Sequence, residues 1–175
     1  MPFIISGAGV QKGVTTNAFA YVSDVTPTLL DLANVPAPDG IFNGRKVHPI
    51  TGKSMLPFLK GEKDYVHTAD DPVAYELAGS AAVFQGEYKL RKNNPPFGDK
   101  KWRLFNLSED PTETNDLSGQ EPETFADMIA AYESYAKAVN LIEVPEDYNP
   151  VLQVQKNVAR NNAEEITDKV PVTLE

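Results

Sequence analysis

Two imidazoles, His48 and His67, are the only side chains in this sequence whose ordinary charge change falls near neutral pH. There is no cysteine. That removes disulfides, thiolate metal ligands and a cysteine nucleophile together, and two histidines are too few for a zinc centre built from several imidazoles. His48 precedes Pro49 in a loop-like stretch. His67 is the better acid–base candidate, because Asp70, Asp71 and Glu76 follow closely. Neither histidine has a neighbouring nucleophile with an activating partner, the arrangement that nucleophilic catalysis needs. Asp70-Asp71 has the oxygen ligands of a divalent-cation site. Adjacent side chains of an extended chain point to opposite faces, so sharing a cation would need a turn before Pro72. A solvated acidic loop is the plainer reading.

Three short motifs resemble known chemistry and fall short of it. Gly7-x-Gly9-x-x-x-Gly13 follows an apolar run but is one residue too long for the dinucleotide fingerprint, and no strand–helix–strand unit follows. Gly52-Lys53-Ser54 has the tail of a phosphate-binding loop, but Val47 stands where the first glycine is required. Asn106-Leu107-Ser108 is a glycosylation triplet of a kind common by chance.

The elements that would position these residues belong to an ordinary globular chain. It has 175 residues, 41% hydrophobic and 23% charged, with 16 Lys+Arg against 25 Asp+Glu and a formal net charge of -9. That length accommodates one domain, or a small one with extensions. The acidic balance argues against a nucleic-acid partner. No apolar run approaches the ~20 residues that span a bilayer, so no membrane partner is expected. The opening stretch, Met1 to Ser6, lacks the charged and long apolar regions of a signal peptide.

Phe3–Ser6 reads as a buried strand, with Phe19–Val22 as another candidate. Asp24 as N-cap, Pro27 in the first turn and the Leu29, Leu30, Ala33 spacing predict a helix over Val25–Asn34. Ser54–Lys60 reads as a short helix closed by Gly61. Val73–Leu77, Ala81–Gln85, Tyr88–Leu90 and Lys101–Asn106 read as strands, with a tight turn at Gln85-Gly86-Glu87. Phe125, Met128, Ile129, Tyr132, Tyr135 and Val139 form one stripe of a helix from about Pro122 to Asn140, with Ser118 and Glu121 as a capping box. After Val144 the chain turns polar, with Val151, Leu152, Val154 and Val158 suited to an amphipathic turn or two. Bases cluster between Gly86 and Arg103 and acids between Glu109 and Asp147. The plain expectation is a basic hairpin facing an acidic helix; the sharper one is a basic rim over an anionic substrate.

The order of several segments resembles the sulfatase family, most closely bacterial arylsulfatases of the alkaline-phosphatase-like superfamily. Pro2 to Gly13 is similar to the stretch following the family's catalytic part. Ser23-Asp24-Val25-Thr26-Pro27-Thr28-Leu29-Leu30-Asp31-Leu32-Ala33 is similar to its D-x-x-P-T-L-L-x-L-A helix, and Gly52 to Gly61 to its G-x-S-L-x-P-x-L-x-G stretch. Tyr75 to Val83 with Gly86-Glu87-Tyr88-Lys89-Leu90 resembles W-E-L-x-G-x-x-A-V followed by G-x-W-K. Trp102 to Leu117, with Asp110-Pro111-Thr112-Glu113, resembles L-Y-D-L-x-x-D-P-x-E-x-x-D-L.

The resemblance implies an α+β fold: a small antiparallel sheet of about four strands on a long C-terminal amphipathic helix. It also implies a preceding strand and helix left over from a larger α/β catalytic domain. The expected division is residues 1–35 for that remnant, 36–145 for the C-terminal subdomain and 146–175 for a polar extension. The family's nucleophile is a formylglycine made from the Cys or Ser of C/S-x-P-x-R, and it holds calcium with carboxylates. This sequence has no Cys and no Ser-x-Pro, so no catalytic residue and no metal ligand carries over. Formylglycine and calcium are expected in the catalytic domain, and no cofactor in this chain. The implied function is a non-catalytic C-terminal portion of an arylsulfatase, a sulfuric ester hydrolase. It packs on the catalytic domain and forms part of the substrate-cleft wall, with His67, Glu76 and Lys89 as cleft candidates. The chain alone is expected to be inactive, and the parent to be periplasmic or secreted. The alternative is a stand-alone binding or self-assembly module without hydrolase activity, forming a homo-oligomer through the N-terminal strand.

Overall fold

The computed structural model describes residues 3–7 and 9–168. It divides into two compact units, Met1–Asp71 and Pro72–Glu175.

In the first unit a 3-10 turn, Val22–Asp24, runs directly into helix α1, Val25–Leu32. A two-stranded hairpin follows, β1 (Ile41–Phe42) and β2 (Arg45–Lys46), and then the short helix α2, Leu56–Leu59. The hairpin was not expected from the sequence, although its tip, Asn43-Gly44, carries the signal. Both residues take left-handed φ, 48° and 74°, as a two-residue hairpin turn demands. The apolar run Phe3–Ser6 is not a strand. It pairs with nothing in the described residues, and Phe3 and Ile4 are 61% and 89% exposed. A lone extended segment gains no ladder hydrogen bonds, so propensity alone cannot hold it as a strand. Phe19–Val22 likewise enters the 3-10 turn, and the glycine-spaced stretch opens no helix.

The second unit is a four-stranded antiparallel meander: β3 (Val73–Leu77), β4 (Ser80–Gln85), β5 (Tyr88–Lys92) and β6 (Arg103–Asn106), in spatial order β3-β4-β5-β6. Pairing of Leu77 with Ser80 and of Gln85 with Tyr88 fixes two-residue turns at both hairpins. Helix α3, Pro122–Ala138, lays its stripe on one face. Val83, Leu90, Leu104 and Met128 form the core there, flanked by Trp102, Phe125, Ile129 and Tyr132. Each contributes about 1.5–3 kcal/mol by full burial. This is the α+β fold expected, a four-stranded sheet on a helix.

Two details differ. The N-cap of α3 is Glu121, and Ser118 instead gives its N–H to Asp116 Oδ1 at 3.0 Å, so there is no capping box at Ser118. The segment after Val144 forms a long helix, α4 (Pro150–Asp168), and its side chains from Val151 to Asn161 are all exposed.

Candidate functional site

Alternation along the strands sorts the functional candidates by face. On the α3 face lie Ala74, Val83, Leu90 and Leu104, with Glu76 in the same phase; on the opposite face lie Tyr75, Ala82, Phe84, Lys89, Arg91 and Phe105. Glu76 and Lys89 therefore sit on opposite sides of one sheet. Glu76 Oε1 accepts the N–H of Gly79 across the β3–β4 turn, a local turn contact.

Lys89 is drawn into an ion cluster. Its Nζ lies 2.5 Å from Glu113 Oε1, and Arg91 Nε lies 2.6 Å from Glu113 Oε2. The guanidinium of Arg91 sits 4.8 Å over the Phe105 ring, and Lys89 Nζ 5.4 Å over Phe84. Tyr75 stacks on Phe84 at 6.3 Å. Tyr75, Ser80, Lys89, Arg91, Asn93 and Glu113 line a cleft of about 160 Å³.

Glu113 reaches the cluster because the loop before it is folded by Asp110. That carboxylate accepts the N–H of Asn115 at 2.8 Å and of Thr114 at 2.6 Å, and the hydroxyl of Thr112 at 2.9 Å. These donors, the Asn115 N–H foremost, hold its pKa down to about 2. The cations Lys89, Arg91 and Arg103 thus pair with Glu113, Asp116 and Asp99 in loops. The acidic helix is not their partner, because α3 lies on the other face.

In the first unit His67 pairs with neither Asp70 nor Asp71. His67 Nε2 lies 2.8 Å from Asp24 Oδ2, with side chains 7% and 0% exposed. The carboxylate of Asp24 also accepts the N–H of Tyr21 at 2.7 Å and of Lys53 at 2.8 Å. Phe19 meets the imidazole edge-on at 5.7 Å. Thr28 extends the junction: its hydroxyl donates to Asp24 O at 2.6 Å and accepts from Met55 N–H at 2.8 Å. Gly52 lets the strands of chain approach, since a Cβ there would lie 2.0 Å from Ser23 O. Asp24, read from the sequence as a helix cap, makes no cap bond to α1. It is the buried acceptor that ties three segments together.

Asp71 accepts from Thr68 N–H and its hydroxyl and pairs with Lys53. The Lys53 ammonium holds its pKa well below the usual carboxylate range. Lys53 therefore has a carboxylate partner rather than a free phosphate-clamp role. Among the described residues no three His, Asp or Glu side chains come together to hold a metal ion. Asn106 of the glycosylation triplet is 8% exposed, and its side-chain oxygen accepts from Ser108 N–H and Oγ–H, a strand-end turn rather than an accessible acceptor.

Residues 1–143 match the family described as N-sulphoglucosamine sulphohydrolase, C-terminal. The chain belongs to that family and is the C-terminal region of a sulfatase. It is 31% identical over 141 residues to an uncharacterized sulfatase of Schizosaccharomyces pombe, covering 79% of this chain and 25% of that protein. It is 29% identical over 161 residues to arylsulfatase K of Danio rerio, covering 80% and 27%. The chain thus spans about a quarter of the length of these curated relatives. A solved Bacteroides thetaiotaomicron chain from work on the metabolism of multiple glycosaminoglycans shares the fold, with a TM-score of 0.51 and 21% identity over 65% of this chain and 24% of that one. These two curated relatives come from a yeast and a fish, so the match is to sulfatases broadly.

Proposed function

We propose that this chain is a non-catalytic portion of an arylsulfatase that packs on the catalytic domain and supplies part of the wall of its substrate cleft. The observation that carries this reading is the apolar surface of the first unit. Helix α1 buries only Thr28, while Val22, Leu29, Ile41 and Phe42 are each at least 60% exposed. Large apolar side chains left this exposed are suited to a contact with another protein surface. Sulfate-ester hydrolysis needs an activated nucleophile and concentrated positive charge at the sulfate oxygens. This sequence has neither Cys nor Ser-x-Pro, so its residues do not fit the formylglycine precursor, and the carboxylates described above do not fit a calcium site. Both groups belong to the catalytic domain in this reading. Lys89, on the sheet face opposite α3, is the strongest of the three cleft-wall candidates. His67 and Glu76 are engaged in holding their own segments.

The chain alone should release no 4-nitrophenol from 4-nitrophenyl sulfate above the buffer rate. Turnover that rises in proportion to chain concentration would contradict the non-catalytic reading.

A further inference from the structure

We infer that Asn43, at the tip of the β1–β2 hairpin, is a site of spontaneous covalent modification, where the side-chain amide is lost and aspartate and isoaspartate form. The step needs no enzyme and no cofactor. The main-chain nitrogen of Gly44 attacks Cγ of Asn43 and a C–N bond forms. The side-chain nitrogen leaves as ammonia, taking the proton that Gly44 gave up. Water then opens the resulting succinimide ring. Addition at the side-chain carbonyl gives aspartate; addition at the main-chain carbonyl leaves the backbone running through Cβ and Cγ as isoaspartate. Asparagine is among the thermolabile residues, and the position of Asn43 selects it. It is the one asparagine of the sequence followed by glycine, and a glycine nitrogen has no side chain beside it to obstruct the attack. Residues 41–46 are all exposed. Nothing lies within 4 Å of the place a Cβ on Gly44 would take, and among the described residues no backbone acceptor takes the Gly44 N–H. By contrast Asn94 and Asn106 are 3% and 8% exposed, and Asn94 and Asn149 precede prolines, which have no N–H.

The closed turn opposes the ring closure, and the hairpin is too slight to keep it closed. Asn43 and Gly44 hold φ of 48° and 74°, and the ring forms once the main chain at Asn43 rotates out of that left-handed shape. The ladder that holds the turn is two pairs, Ile41 with Lys46 and Phe42 with Arg45, extended by the Val47 N–H donated to Gly40 O at 3.0 Å. Its strand side chains are all exposed. A two-stranded hairpin without a packed face is marginal in water, so local opening supplies the reactive conformation from the folded chain. Isoaspartate then adds a methylene to the main chain and a negative charge beside Phe42. A two-residue turn with left-handed φ at both positions has no room for the longer link, so the β1–β2 pairing is lost. The conversion is read on this chain alone and does not depend on its contact with a catalytic domain.

The test is incubation of the 175-residue chain in mildly alkaline buffer beside a synthetic peptide of residues 39–48, both followed by mass-spectrometric peptide mapping. Asn43 should gain the mass of an amide-to-acid exchange, with isoaspartate the larger product, at a rate within about tenfold of the free peptide. Every other asparagine should convert more slowly. Asn43→Gln should stop the reaction at this position, because its longer side chain closes a less favourable ring. In the isoaspartate form the Val47 amide should lose its hydrogen-exchange protection while the amides of β4 and β5 keep theirs. An intact Asn43, conversion more than about tenfold slower than in the peptide, faster conversion at another asparagine, or equal conversion in Asn43→Gln overturns the proposal. Unchanged Val47 protection in the isoaspartate form overturns its structural part.

Discussion

Replacing Asp24 with Ala should destabilise the first unit by about 3–5 kcal/mol, the scale of several buried hydrogen bonds lost together. The side chain is fully buried, and its carboxylate is the acceptor for Tyr21 N–H, Lys53 N–H and His67 Nε2. Ala would leave these donors in an apolar setting with no acceptor, and each such loss costs about 1–3 kcal/mol. Against a typical domain stability of about 5–15 kcal/mol, that is enough to open the Met1–Asp71 unit locally. Amide hydrogen exchange checks this directly. Tyr21 and Lys53 should lose protection in Asp24→Ala, while the amides of β4 and β5 keep theirs. His67→Ala should cost less, because the carboxylate retains its two backbone donors. An Asp24→Ala chain with unchanged exchange at Tyr21 and Lys53 would remove Asp24 from the role assigned to it.

Leu90→Ala should destabilise the second unit by about 2–5 kcal/mol. Leu90 is fully buried on an inner strand, and it packs against Val83, Leu104 and Met128 where the sheet meets α3. Truncation removes transfer energy and leaves a cavity that three neighbours on rigid elements cannot close. Leu77 is the internal control, the same residue type 73% exposed at the end of β3. Leu77→Ala should change stability by no more than about 0.5 kcal/mol. Urea denaturation followed by Trp102 fluorescence reads both, since the Trp102 ring packs on Tyr132 of α3 at 4.7 Å.

The second unit was largely legible in the sequence because its signals are local. Alternating apolar residues flank Gln85-Gly86-Glu87, and the Phe125–Tyr135 stripe has helical spacing, so short-range patterning specifies both sheet and helix. The first unit was less legible because its partners are distant. Asp24 meets Lys53 and His67 at separations of 29 and 43 residues, and nothing in the local context of an Asp before a helix distinguishes a cap from a buried hub. The same holds for Lys89 and Glu113, 24 residues apart. Their pairing depends on a loop folded by Asp110. Phe3–Ser6 shows the opposite error: apolar composition suggested a strand where the described residues offer no strand to pair with. For α4 the polar composition hid a helix that extends well beyond the scattered valines.

The claim on which the functional reading depends is that the exposed apolar surface of this chain is one side of a contact with a sulfatase catalytic domain. Sedimentation of this chain with a sulfatase catalytic region produced without its own C-terminal portion tests it most directly. A one-to-one complex that dissociates when Leu29 and Phe42 are both replaced by Asp is the expected result. A chain that sediments independently of the catalytic region at every concentration, alone or as a self-assembled oligomer, would contradict it.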